Sequence, residues 1–265
     1  MATETIPDDC SADTSAPRRV GCAGWSIASQ AGSSFPAAGS HLERYAQVFD
    51  AVEINSSFYR PHRPQTYARW AASVPAHFRF SVKLPRTMTH ERRLAKVDGP
   101  LAHFAAEVTA LGDRLGCILA QLPPSLAFDQ PVADAFFSRL HSYFNCTIAC
   151  EARNPTWFDT AATELLRRQR ITRVIADPPT GQPGPHVPTT AGAYLRMHGS
   201  PQRYYSSYSD DYLDQLIVDM KTYTQAGRSI WCIFDNTVSG AALANAMAIV
   251  ARSRIGSAEP GLSLA

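Results

Sequence analysis

The chain has 265 residues, 45% of them hydrophobic, and a formal net charge of +2. This length and hydrophobic fraction provide for a large buried core, in one eight-stranded barrel or in two smaller domains. The near-neutral charge excludes a globally basic surface for nucleic acid, and no apolar run is long enough to span a bilayer.

Both ends of the chain are predicted to lie outside the folded domain. Residues 1–17 are polar and acidic and lack the pattern of a signal peptide, so we expect a disordered tail there. Residues 253–265 are expected to form a frayed tail, which leaves 18–252 as one folded domain. The six cysteines contain no C-x-x-C pair and most lie in apolar runs, so the expected compartment is a reducing cytoplasm.

Eight short apolar runs follow the first tail, and helix-like segments separate them. In chain order the runs are Arg19–Gly24, Ala51–Asn55, Arg79–Lys83, Cys117–Gln121, Thr147–Glu151, Arg173–Asp177, Tyr194–His198 and Trp231–Asp235. Their mean spacing is about 30 residues, which is the size of one βα unit. Strands that alternate with helical segments form parallel sheets, so the sequence predicts an α/β fold, a single (β/α)8 barrel of the TIM type.

The helical segments between the runs differ in how clearly they are marked. Leu101–Leu111, Val132–Tyr143, Asp210–Tyr223 and 240–251 have helical patterns, and Ser209 and Asp210 are suitable N-terminal caps for the third. Residues 178–190 contain too much proline and glycine for a helix. We therefore expect a long loop between the sixth and seventh runs.

Polar side chains recur on one face of these runs, at their carboxyl ends. Strand side chains alternate between two faces, so the polar members of one run share a face. The inward set comprises Glu53 and Asn55, Lys83, Gln121, Glu151 and Arg153, Asp177, Arg196 and His198, and Asp235. Because barrel enzymes carry their chemistry at the carboxyl ends of the strands, these residues predict a single site there.

Several short motifs occur in the order found in one known family. They are Gly24-Trp25-Ser26, the segment Glu53–Tyr59, Lys83 with Arg86 and Thr89-His90, Gln121–Pro124, Glu151-Ala152-Arg153 with Trp157-Phe158, Tyr194–Gly199, and Asn245-Ala246. On these residues the chain resembles, from about Val20 to Ile249, the domain of unknown function 72 family.

The resemblance implies a (β/α)8 barrel and implies no activity, since none is established for the family. The barrel is similar in outline to sugar isomerases and abasic-site endonucleases. The chain departs from the family pattern in two places. Ala152 replaces an aromatic residue, and Phe234-Asp235-Asn236-Thr237 replaces an aromatic-Asn-Asn-Asp type of ending on strand eight.

Four inward residues are predicted to carry acid–base chemistry: Glu53, Lys83, Glu151 and His198. An inward lysine can have a lowered pKa and act as a base or form a Schiff base. The favoured interpretation of Lys83 is nevertheless an ion pair with Glu53 or Glu151, because buried charges are usually paired. His198 is the favoured proton-transfer residue.

A second set of residues is predicted to bind substrate. It comprises Trp25, Asn55, Tyr59, Arg86, His90, Gln121, Arg153, Asp177, Arg196, Gly199, Tyr205, Asp235 and Asn236. Carboxylates and cations nearly balance, so a divalent metal is left open but not favoured, and no residue is assigned to a metal. The loops after strands seven and eight, with Arg196 and Arg203, are candidates for holding a phosphate.

The leading hypothesis is an enzyme that acts on a small polyhydroxylated or phosphorylated substrate, as a hydrolase, lyase or isomerase. One alternative is a protein that binds or cleaves abasic or single-stranded DNA through its aromatic and arginine side chains. The other alternative is a non-catalytic metabolite-binding protein, which a ligand would stabilise without forming a product.

Overall fold

The computed structural model describes residues 16–27 and 29–255. Most of the two predicted tails, residues 1–15 and 256–265, lies outside the described residues. The first strand begins at Arg18, where the folded domain was predicted to start. The last helix ends at Ile255, a little beyond the predicted boundary at 252, and Ser253 is buried.

Nine parallel strands form two sheets within the described residues. They are β1 (Arg18–Cys22), β2 (Ala51–Ile54), β3 (Arg79–Lys83), β4 (Leu115–Gln121), β5 (Thr147–Glu151), β6 (Thr172–Arg173), β7 (Ile175–Asp177), β8 (Ala193–Met197) and β9 (Ile230–Phe234). The first sheet has the order β1-β9-β8-β7, and the second has the order β2-β3-β4-β5-β6. The predicted α/β fold with parallel strands is confirmed.

The described chain has seven α-helices, of which the first six lie between strands and the seventh follows β9. They are α1 (His41–Tyr45), α2 (Pro64–Ala72), α3 (Asp98–Val108), α4 (Gln130–Tyr143), α5 (Thr160–Arg168), α6 (Asp210–Gln225) and α7 (Ala241–Ile255). Ser209 caps α6 as predicted, because its hydroxyl accepts the N–H of Tyr212. The segment between β7 and β8 contains no helix, as its proline and glycine content predicted. None of the helices that the structure describes is long and apolar enough to cross a membrane.

The apolar core has two parts, and the smaller one lies between the two sheets. This inner cluster consists of Ala51, Cys117, Leu119, Ala149, Val174, Tyr194, Trp231 and Ile233. Both sheets contribute to it. Every member except Val174 occupies a position that strand alternation predicts to face inward. The larger part packs the opposite faces of the strands against the helices.

The exception is the sixth run, where the predicted inward face is wrong. Val174 belongs to the inner cluster, whereas Asp177 lies in register with Met197, which packs in the outer core. The run is divided between β6, which pairs with β5, and β7, which pairs with β8. Alternation continues across the two strands: Thr172 lies in register with Ala149 of the inner cluster and Ile175 with Leu195 of the outer core, so Val174 faces inward and Asp177 outward.

The two sheets also meet at the carboxyl end of β1. Ala23 forms an isolated parallel bridge with Glu53, and the Tyr45 hydroxyl donates to the carbonyl of Ala51 on β2. A Cβ atom on Gly21 would lie 1.9 Å from that carbonyl oxygen, so only glycine allows this approach of β1 to β2. This contact brings the ends of β2 and its neighbours close to those of β8 and β9.

Candidate functional site

Arg196 lies at the centre of the polar side chains that the two sheets enclose. Its Nε and Nη2 donate to Glu53 at 3.0 and 2.6 Å, its Nη1 donates to Glu151 at 2.5 Å, and its Nη2 also donates to Asp235 at 2.9 Å. The guanidinium is fully buried. Its planar fork of donors suits three converging carboxylates, which a point charge such as an ammonium would not bind in this way.

His198 bridges two of these carboxylates, so that these five side chains form what we call the arginine–carboxylate network. Its Nδ1 lies 3.1 Å from Asp235 and its Nε2 lies 3.2 Å from Glu151. Burial disfavours the charged imidazole, but the hydrogen bonds to both carboxylates outweigh burial and raise the pKa of His198. Both ring nitrogens are therefore held by carboxylate oxygens, and this arrangement favours the protonated ring.

Glu151 is the most heavily bonded carboxylate of the network. Gln121 donates to it at 3.0 Å, and Arg153 donates through Nε at 2.8 Å and through Nη2 at 2.7 Å. Burial alone would raise the pKa of Glu151, but Arg196 and His198 hold that pKa well below its usual range. The same two neighbours overcome burial and lower the pKa of Asp235, so both carboxylates are ionised.

Lys83 does not form the ion pair that the sequence predicted. Its Nζ lies 4.2 Å from the centre of the Phe58 ring, and it makes no ion pair with any carboxylate that the structure describes. Arg196 bonds these carboxylates, so Lys83 is left beside carboxylates that already have a cationic partner. Burial, and then the nearby Arg196, lower the pKa of Lys83 to about 8.

The members of the network and their neighbour Arg153 differ in exposure. Glu53 is fully buried, whereas the side chains of Arg153 and Asp235 are 14% and 12% exposed. Asn55, at the end of β2, is half-buried, and its Oδ1 has no hydrogen-bond partner among the described residues. A buried amide oxygen without a partner is a candidate substrate contact, because leaving it unsatisfied is costly.

The other predicted binding residues on the early loops lie outside the network. Trp25 packs edge-on against Trp70, with ring centres 5.0 Å apart, and Tyr59 is 75% exposed. Arg86 is exposed and pairs with Glu91 at 3.1 Å. His90 is half-buried, and its Nδ1 lies 2.8 Å from the hydroxyl of Thr89.

The loops after β8 and β9 hold each other together, so most donors expected to bind a phosphate are occupied. The Gly199 N–H donates to the Tyr208 hydroxyl, which in turn bonds the Asp177 carboxylate; both distances are 2.9 Å. The Asn236 amide donates to the carbonyl of Ser206, and Arg203 to that of Pro178, also at 2.9 Å. Tyr205 is exposed, and its carbonyl accepts the hydroxyl of Ser239.

Four side chains matter to the site that were not among its predicted residues. The Tyr194 hydroxyl bonds both Glu53 and Ser81, at 2.8 and 2.7 Å. Tyr204 contacts Arg153 at 3.4 Å and the His198 ring edge-on, and Phe58 lies under Lys83. Strand parity identifies Tyr194 and Ser81, which share faces with Arg196 and Lys83, but the contacts of the two loop residues depend on tertiary structure.

The described residues include no group of three or more His, Cys, Asp or Glu side chains that could hold a metal ion. The position between Glu53, Glu151 and Asp235, where a cation would be attracted, contains the Arg196 guanidinium. Chemically, the arrangement can hold and exchange protons.

Comparison with known proteins gives a family and a fold. The chain is 30% identical over 142 residues to UPF0759 protein YecE of Escherichia coli, a match that covers 51% of this chain and about half, 52%, of YecE. A DUF72 family protein from Thermotoga maritima superposes with a TM-score of 0.75 at 25% identity, covering 90% of this chain and 99% of that one. A sugar phosphate isomerase/epimerase from Parabacteroides distasonis shares the fold at 10% identity, with a TM-score of 0.50 and coverage of 91% and 97%.

The family model described as "Protein of unknown function DUF72" matches residues 19–262, which is nearly the whole chain. The match runs from Arg19, the second residue of β1, beyond the end of α7 and includes every residue of the arginine–carboxylate network. The chain therefore belongs to the DUF72 family.

Proposed function

We propose that this protein is an enzyme that transfers protons within a small polyhydroxylated substrate bound beside the arginine–carboxylate network. The observation that carries the proposal is the position of His198, whose two ring nitrogens are held by ionised Glu151 and Asp235. General acid–base catalysis is most efficient when the pKa of the catalytic group is near the working pH. The hydrogen bonds to Asp235 and Glu151 raise the pKa of His198 from its usual value of 6.5 toward physiological pH.

The remaining groups of the site have roles that follow from their bonds. Arg196 keeps Glu151 ionised and holds Glu53 and Glu151 in place, so we assign it to positioning. His198 is buried, so it exchanges protons with the substrate through Asp235, whose side chain is 12% exposed. Contacts to the rest of the substrate fall to groups with free hydrogen-bonding capacity. Asn55, with its unpartnered Oδ1, and Arg153, on the solvent side, fit hydroxyl groups of a substrate. Polyhydroxylated compounds offer both donors and acceptors to such a set.

We place an anionic group of the substrate near His90, away from the loops after β8 and β9. Burial lowers the pKa of His90, and the nearby Lys83, Arg86 and Arg153 lower it further. The two arginines give positive potential near His90, beside the network. We assign a substrate phosphate or carboxylate to Arg86 and Arg153, which we call the cationic cluster.

The proposal includes the closure of the two sheets into one (β/α)8 barrel. β6 and β7 would be halves of a single strand, since only Val174 separates them. Support on the opposite side comes from the bridge between Ala23 and Glu53 and from the Gly24 N–H, which donates to the Glu53 carbonyl at 2.9 Å. A closed barrel gathers the carboxyl ends of all its strands around one site.

Proton transfer can be detected without knowing the reaction. The protein is incubated in D2O with a panel of aldoses, ketoses and their phosphates, and proton NMR records exchange, isomerisation or cleavage. We expect turnover of at least one member by the native protein. His198→Asn should lower that rate by about 100-fold or more, which is the usual contribution of a general acid or base.

The control is His141→Asn, which removes an exposed histidine that bonds the carbonyl of Gln169. It should leave turnover unchanged. Thermal unfolding of both variants separates a catalytic defect from a folding defect. Full activity of His198→Asn would overturn the proposal, and so would the absence of turnover across the whole panel.

A further inference from the structure

Lys83 is the buried cation of the site that has no anionic partner of its own. It is 7% exposed, yet no described carboxylate pairs with it, and its Nζ lies over the face of Phe58. A buried ammonium without a partner is costly, and an ion pair would remove most of that cost. The position is therefore suited to the neutral amine.

The reason for this lies in the neighbouring guanidinium. Arg196 bonds Glu53, Glu151 and Asp235 together, and these are the three carboxylates whose charges act on Lys83. Each of them has a shorter contact to the arginine fork than to any lysine that the structure describes. The arginine fork thus occupies these carboxylates and leaves Lys83 with a pKa of about 8, which makes a substantial neutral fraction available near physiological pH.

The side chains packed around Lys83 extend to the protein surface. Phe58 contacts Tyr59, which is 75% exposed, and His90, which is half-buried, both edge-on at 4.9 Å. The amine thus lies one side chain away from exposed groups, beside the cationic cluster assigned above. The Lys83 carbonyl accepts the Ser57 hydroxyl at 2.6 Å, which helps to fix the backbone from which the amine extends.

We propose that the Lys83 amine forms a Schiff base with an aldehyde or ketone group of the substrate, an inference that rests on the proposed function and narrows its substrate to hydroxylated carbonyl compounds. The neutral amine attacks the carbonyl carbon and forms a C–N bond, while the carbonyl oxygen takes a proton to give a carbinolamine. Loss of that oxygen as water then gives the protonated C=N bond. No oxidant or reductant takes part, and hydrolysis returns the amine.

The chain offers an unusually clean test, because it has only three lysines: Lys83, Lys96 and Lys221. The full chain is incubated with glycolaldehyde or dihydroxyacetone phosphate and sodium cyanoborohydride, which reduces the C=N bond to a stable amine. Peptide mass mapping then gives the labelling rate of each lysine and of the amino terminus. Lys96 is exposed and serves as an internal control.

We expect Lys83 to be labelled at least about tenfold faster than Lys96 near neutral pH, with a rate that rises with pH and levels off above about 8. Lys83→Met should remove this label and leave that on Lys96 unchanged. Lys83→Arg, which keeps the charge, should also remove it. Labelling of Lys83 no faster than Lys96, or equal total labelling of Lys83→Met and the native protein, would overturn the inference.

The same variants separate this inference from the proposed function. If the native protein and Lys83→Met turn over a substrate equally well, the Schiff base is wrong and proton transfer at His198 stands. If Lys83 is labelled selectively while the NMR panel shows no turnover, the amine chemistry stands and the proposed function fails.

Discussion

Replacing Lys83 with methionine should stabilise the folded protein, because burial of the native ammonium costs free energy that no ion pair offsets. Lowering its pKa from 10.5 to about 8 corresponds to about 3.4 kcal/mol of unfolding free energy. Losing the contact of the ammonium with Phe58 costs about 1 kcal/mol. Methionine is unbranched and apolar and fills similar space. The net expectation is a gain of about 2 kcal/mol near neutral pH.

The difference in stability between Lys83→Met and the native protein should depend on pH, in a direction set by the lowered pKa of Lys83. Below about pH 8 the lysine is protonated in both the folded and unfolded states, so its full destabilising effect is present. Between about pH 8 and 10.5 only the unfolded state holds the proton, and the native protein becomes more stable relative to Lys83→Met. From about pH 7 to pH 9.5 the advantage of the variant should shrink by about 2 kcal/mol.

The assay is urea unfolding followed by circular dichroism and tryptophan fluorescence at both pH values. Lys96→Met is the matched control, since it removes an exposed lysine, and its effect should stay within about 0.5 kcal/mol. If Lys83→Met were less stable than the native protein at every pH, Lys83 would have a stabilising partner, and the reasoning from its unpaired burial would be refuted.

Three further predictions concern the network and its loops. Arg196→Met should lose about 3–5 kcal/mol or more, because it leaves buried carboxylates uncompensated, and the loss should lessen toward acid pH in urea unfolding. Gly199→Ala should cost about 1–3 kcal/mol in the same assay, since Gly199 has φ +89° and a Cβ would lie 2.6 Å from a backbone oxygen; Gly184→Ala, with nothing within 4 Å, is the control. In NMR titrations His198 should deprotonate above 6.5 and His186 near about 4, so the stability from His198 is complete below its unfolded pKa and is lost as pH rises through the folded value. Equal titration of the two histidines would contradict the assigned hydrogen bonds.

The sequence by itself determined where the strands lie and which residues gather at their ends. Apolar runs of strand length, spaced by helical segments, locate β1 to β9, because burial on both faces requires such runs in a parallel sheet. Alternation then placed Glu53, Glu151, Arg196 and His198 on one inward face. The length, spacing and alternation of the strands are local properties of the chain, so the sequence alone is enough to predict them.

Only the tertiary structure decided which charges pair, and which face the sixth run presents. Lys83 and Arg196 compete for the same carboxylates, and the guanidinium prevails because its fork reaches all three at once. The registers of β6 with β5 and of β7 with β8 place Val174 inward and turn Asp177 away from the site. Pairing among charges of similar type, and the face that a mixed run presents, depend on distances and strand registers across the fold that no short stretch of sequence specifies.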